Sequence, residues 1–146
     1  MKKLTFSFLV IALIAFLSPL KAQSSKAQEI IKKNINEMVT DVERTSNPIE
    51  KRKVLNKTFD KFITTIERVE KMESVSADDK AGLNDFKASF VEKKNELNGL
   101  NGFAKVPDNQ LNNYANFVQQ NFEQADRIVT VSLTTVLLIV LILLLL

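Results

Sequence analysis

The stretch Ile128 to Leu146, IVTVSLTTVLLIVLILLLL, decides how this chain is read. It holds no charged residue, no glycine and no proline, and no polar residue follows it. As one helix it is about 28 Å long at ~1.5 Å per residue, close to the roughly 30 Å hydrocarbon core of a bilayer. A helix that is apolar on every side lies in lipid or is enclosed by protein. A 146-residue chain leaves little protein to enclose one. Residues 128–146 therefore read as a C-terminal transmembrane anchor. Thr130, Ser132, Thr134 and Thr135 occupy its first half. Their hydroxyls have two outlets, a neighbouring helix or their own i−4 carbonyls.

The opposite end carries a second apolar run. Met1-Lys2-Lys3 precedes Leu4 to Leu17, and Ser18-Pro19-Leu20-Lys21-Ala22-Gln23 follows. A basic start, an apolar stretch and a small residue at a cleavage point make a secretory signal peptide, residues 1–22. Pro19 breaks the apolar helix and leaves the chain extended for a peptidase. Cleavage after Ala22 is the first expectation and after Ala27 the second; an uncleaved segment would stay as another anchor. The pattern is bacterial in style. It predicts a single-pass protein of the inner membrane, with its N-terminal domain facing the periplasm or exterior.

The formal charge of +3 dissolves once this segment is set aside. Lys2, Lys3 and Lys21 account for three of the 20 basic residues, and the remainder match the 17 acidic ones. Acidic and basic residues interleave from Glu29 to Arg127. No basic face remains to displace counterions from phosphates, so nucleic-acid binding is excluded. Cysteine is absent, which removes disulfides and a lipidated-cysteine anchor. Histidine is absent too, and with it the commonest metal ligand and general base.

Between the two apolar runs, residues 23–127 read as helices. Ile31, Ile35, Met38 and Val42 form one stripe on a helix over about 25–45. Asn47-Pro48-Ile49-Glu50 is a helix start, with Asn47 as cap, Pro48 in first position and Glu50 placed to reach back. Leu55, Phe59, Phe62, Ile66 and Val69 follow at alternating steps of four and three, on a helix expected to reach Glu73. Ser76 caps a third helix, with Asp78 and Asp79 in its first turn and Leu83, Phe86, Phe90 and Leu97 on its stripe. Gly99 suits the left-handed residue that ends it. Asp108 reads as the cap of a fourth helix bearing Leu111, Tyr114, Phe117, Val118, Phe122, Ala125 and Ile128.

The expected fold is all-α: a small antiparallel bundle of three to four amphipathic helices. Its last helix is expected to run unbroken into the transmembrane helix. A long hairpin dimerising through its stripe is the alternative. In the bundle, the Ser74–Ser76 turn lies near the membrane. The Ser46–Pro48 turn and the Gly99–Pro107 loop share the far end, about 30 Å or more away.

Candidate chemistry is sparse. Asp78-Asp79 and Glu67/Glu70 are the only carboxylate pairs of note, and each reads more simply as a cap or a solvated face. No glycine-rich phosphate loop, GxSxG or SxxK is present. No enzymatic activity, cofactor or metal is expected. Two surfaces stand out as partner sites. One is the amide-rich face of the fourth helix around Tyr114. The other is the Gly99–Pro107 loop, whose Leu100, Phe103 and Val106 are candidate contacts in a Gly/Asn setting.

The sequence thus predicts a membrane-anchored cell-envelope protein, a non-enzymatic helical interaction or structural module. Its partners would be the membrane through residues 128–146 and a protein or a second copy. The alternative is a membrane-active or oligomerising protein working through its C-terminal span, which the lack of ionisable groups there disfavours. The tail also resembles a lipid-anchor addition signal with its attachment region at Asn113-Tyr114-Ala115, where tyrosine fits poorly.

Overall fold

The computed structural model describes residues 28–124 and 131–146, and every regular element among them is a helix. The signal segment, its cleavage points and the stretch 125–130 lie outside the described residues. Helix α1 covers 28–44, α2 Pro48–Glu70, α3 Ala77–Asn98, α4 Leu111–Gln124 and α5 Leu133–Leu145. A short 3₁₀ turn, Asp108–Gln110, precedes α4.

Helices α1 to α4 form the expected antiparallel bundle. Side chains link each to its neighbour: Lys61 to Asn34 at 3.2 Å for α2 and α1, and Lys94 to Asp60 at 2.5 Å for α3 and α2. The Tyr114 hydroxyl donates to the Lys93 carbonyl at 2.6 Å for α4 and α3, and Gln119 donates to Asn36 at 2.8 Å for α4 and α1. The stripes meet inside. Ile35, Met38, Val42, Leu55, Phe59, Phe62, Ile66, Leu83, Phe90, Leu97 and Leu111 are buried. Phe90 is their centre. Its ring stacks on Phe62 at 4.4 Å and on Phe122 at 4.5 Å, and meets Phe86 edge-on at 5.2 Å.

Local chemistry sets the ends of the elements. Asn47 Oδ1 accepts from the Ile49 N–H at 2.9 Å and Ser76 Oγ from the Asp79 N–H at 3.1 Å, as capping requires. Glu50 pairs with Lys53 at 3.5 Å instead of reaching back to the cap. Helix α2 stops at Glu70, three residues before its expected end, because Met72 and Val75 turn the chain through bonds to Val69 and Met72.

Two expectations about α4 are corrected. Asp108 does not cap it; its carboxylate is drawn to Arg52 at 2.7 Å, and Pro107 opens the 3₁₀ turn. Phe117 does not join the stripe and is 46% exposed. It lies roughly a third of a turn from the centre of the buried face of Leu111, Tyr114, Ala115, Val118 and Phe122. Lys93 sits over its ring at 4.9 Å.

The larger correction concerns the tail. The last helix is not continuous with α4: Ser132 is extended (φ −63°, ψ 154°) and caps a separate 13-residue helix, α5. Helix α5 packs against α2 and runs back alongside it. Val136, Ile139, Val140 and Leu143 join the buried core at helical spacing, while Leu137, Leu141, Leu144 and Leu145 face outward. Among the described residues, no helix is long and apolar enough to cross a membrane. At the break, the Asp79 carboxylate takes hold of Ser132.

Candidate functional site

Two charged residues sit in register with the apolar stripes, one at each end of the core. Arg52 precedes Leu55 and Phe59 by three and seven residues; Asp79 precedes Leu83 and Phe86 by four and seven. Side chains at these positions point where the core would be. Each must therefore find partners inside, and each organises the end of the bundle it occupies.

At the end of the bundle that holds the α3–α4 loop, the Arg52 side chain is 13% exposed. Its guanidinium donates to the Leu97 carbonyl in the last turn of α3, to the Val106 carbonyl at 2.7 Å and to Asp108 at 2.7 Å. One planar fork thus clasps both ends of the loop between α3 and α4. That bond to Arg52 comes first in holding the Asp108 carboxyl below the usual carboxylate range.

The loop between those points is itself ordered by glycine and asparagine. The Leu100 N–H bonds the Asn95 carbonyl at 3.0 Å and the Gly99 N–H the Glu96 carbonyl at 3.4 Å, a Schellman ending with Gly99 at φ 68°. A Cβ at Gly99 would meet Lys105 Cβ at 2.8 Å and its backbone nitrogen at 2.9 Å, so the returning chain leaves space for glycine alone. Asn101 (φ 53°) and Gly102 (φ 87°) then form a tight turn closed by the Phe103 N–H on the Leu100 carbonyl at 3.1 Å.

This arrangement sorts the three candidate contacts. Leu100 is 50% exposed and Phe103 40% exposed, so neither packs back as a plug. Val106 packs partly against the core and presents its carbonyl to Arg52. Ile49, exposed at the start of α2, lies at the same end. A cleft beside the loop is lined by Lys105, Val106, Pro107, Tyr114 and Phe117 among others.

The amide face of α4 is partly spent inside the molecule. Asn112 accepts from Lys51, Asn116 approaches Glu43 at 3.4 Å, and Gln119 bonds Asn36. Tyr114 is buried, and its hydroxyl pKa is pushed up by burial first and then by Glu96. The tyrosine is a strut between α4 and α3, with no free hydroxyl for a ligand. The imagined carboxylate pairs also separate. Asp78 is exposed while Asp79 is buried, and Glu70 pairs with Lys87 at 2.6 Å while Glu67 faces solvent.

At the opposite end, Asp79 is only 8% exposed. Its carboxylate accepts three hydrogen bonds from the C-terminal segment: the Ser132 N–H at 2.6 Å, the Ser132 hydroxyl at 2.7 Å and the Thr135 hydroxyl at 2.8 Å. It lies in the first turn of α3 and directly at the start of α5, so two helix dipoles favour its charge. The Ser132 side-chain bond leads the causes that lower its pKa. No protein family, characterised protein or solved structure shows significant similarity to the chain.

Sequence reasoning passed over Arg52 and read Asp79 only as a first-turn charge or one of a carboxylate pair. The signal was present in each case as a charge occupying a stripe position. The partners of Asp79 carried no such mark: Ser132 and Thr135 are two of four hydroxyl residues in the first half of the tail.

Proposed function

We propose that this chain is a membrane-tethered, non-enzymatic helical module of the bacterial cell envelope. Residues 128–146 supply the tether, and the loop between α3 and α4 supplies a contact surface for a protein partner. The observation that carries the reading is a rigidly held apolar surface: Leu100 and Phe103 exposed on a loop fixed by Arg52, a Schellman ending and a tight turn. A loop that merely connected two helices would gain nothing from presenting a phenylalanine to water. The tether rests on the charge-free run itself and on the leucines that α5 turns outward.

Phe103→Ser should leave the melting midpoint of the full chain close to that of the parent and abolish partner capture in a detergent pull-down from envelope extract. Partner recovery equal to the parent's would remove the loop from the proposal. Unfolding of the variant would make Phe103 a structural residue and remove it equally.

The tether has its own check. After expression in bacteria, alkaline carbonate should leave the full chain with the membranes and release a chain that stops at Arg127. Release of both would overturn the membrane assignment.

A further inference from the structure

Helix α5 poses a problem of allocation. The charge-free run begins at Ile128, yet the docked helix begins only at Leu133. As 13 residues it spans about 20 Å, short of the roughly 30 Å that a bilayer core demands. We propose that this segment is a stowable anchor: it seats on its own bundle as a fifth helix, latched by Asp79, and leaves that seat to enter a lipid bilayer. The proposal rests on the membrane tether above and adds a second, lipid-free state of the same residues.

The latch and the span exclude each other at one atom. In the seated state the Ser132 N–H donates to Asp79, and the Ser132 hydroxyl oxygen accepts from the Thr135 N–H as a helix cap. Both bonds need Ser132 to stand outside the helix. A helix running from Ile128 through the bilayer would commit the Ser132 N–H to the Ile128 carbonyl, four residues back. The two arrangements are therefore alternatives, with no continuous path of partial engagement between them.

Polar residues in the segment fit this division. A span has no need of Ser132 and Thr135, and in lipid their hydroxyls fall back on their own i−4 carbonyls. In the seated state both hydroxyls reach the same carboxylate. Apolar residues divide in the same manner. Val136, Ile139, Val140 and Leu143 fill the seat, and Leu137, Leu141, Leu144 and Leu145 form the face that meets lipid first. The bilayer is the occupant that matches this outer face: it carries no charge, and its one hydroxyl, Thr134, lies in the first turn of α5.

The chain contains no tryptophan, so Leu144→Trp places a single tryptophan, excited selectively over Tyr114, on the outer face of α5, where Leu144 is 67% exposed. The full chain carrying it is made by cell-free synthesis and titrated with vesicles of phosphatidylethanolamine and phosphatidylglycerol. Emission shifts to the blue, and quenching by brominated lipid follows, as α5 enters the bilayer. Asp79→Ala, and separately Ser132→Ala with Thr135→Val, should lower the vesicle concentration at half-transfer by about tenfold, the effect of losing charge-assisted hydrogen bonds. Asp78→Asn, a charge change next door at an exposed residue, should leave it unmoved.

Before lipid is added, amides of 136–143 should exchange faster in both latch variants than in the parent. Equal half-transfer in the parent and both latch variants overturns the latch and leaves the tether standing. A tryptophan that enters vesicles in none of the chains overturns the tether, and the stowable anchor with it.

Discussion

Phe90→Ala should lower the unfolding free energy by about 3–5 kcal/mol, the largest effect expected from a single substitution here. Phe90 is fully buried, and its ring contacts Phe59, Phe62, Phe86 and Phe122 from α2, α3 and α4. Truncation removes the transfer free energy of the ring and leaves a cavity walled by four other phenyl groups. Those neighbours are fixed on three helices, so the walls collapse only in part. Stacked and edge-on ring pairs add about 0.5–1.5 kcal/mol each beyond buried area. A small domain has about 5–15 kcal/mol in total, so the variant should unfold at a much lower denaturant concentration. Val91, next in sequence and largely outside the core, is the comparison: Val91→Ala should cost less than about 0.5–1 kcal/mol. Similar midpoints for the two variants would contradict the aromatic stack as the centre of the bundle.

The same stack shows why the fold was legible. Stripes at steps of three and four named the buried residues of α1, α2 and α3, because one buried face per helix is what a bundle requires. Caps at Asn47 and Ser76 and the stop at Gly99 were legible because only a few residue types perform those tasks. The tail was not, for a physical reason. Hydropathy measures the preference of a segment for any apolar surrounding, and a groove on α2 satisfies that preference as lipid does for a helix of 13 residues. What separates the two environments is hydrogen bonding at one end, set by Asp79, which lies 53 residues before Ser132. Local patterns carry no information about such a pairing. Phe117 marks the opposite limit. A fourth helix with phenylalanines at 117 and 122 offers two faces, and the choice between them is made by the neighbours of Ala115, where α4 approaches the rest of the bundle closely.

Arg52 carries the second large effect. Arg52→Met keeps the aliphatic stem and removes the guanidinium, so packing along α2 is largely preserved and the polar contribution is isolated. Two carbonyl oxygens, of Leu97 and Val106, lose a charged donor. Bonds to charged donors are worth about 1.5–3 kcal/mol and do not add in full when they share one donor group, so the variant should lose about 2–4 kcal/mol of stability. Arg52→Lys should recover only part of this, because one ammonium cannot reproduce a planar fork that reaches α3, the loop and Asp108 at once. The loss should be local as well as global. The Leu100 and Phe103 amides, which close the Schellman ending and the tight turn, should exchange faster relative to Phe90, and partner capture through Phe103 should weaken without any change at Phe103. Acid titration gives an independent signature. The folded Asp108 carboxyl is held below its ordinary range, chiefly by the Arg52 bond, so its contribution is present above the unfolded pKa and is lost as pH falls through the folded value. In Arg52→Met only the weaker pull of Lys105 on Asp108 is left, and stability should decline less steeply with acid than in the parent. Parallel acid limbs in the two proteins would mean that Arg52 does not hold Asp108, and that the loop owes its shape to Gly99 and the Asn101-Gly102 turn instead.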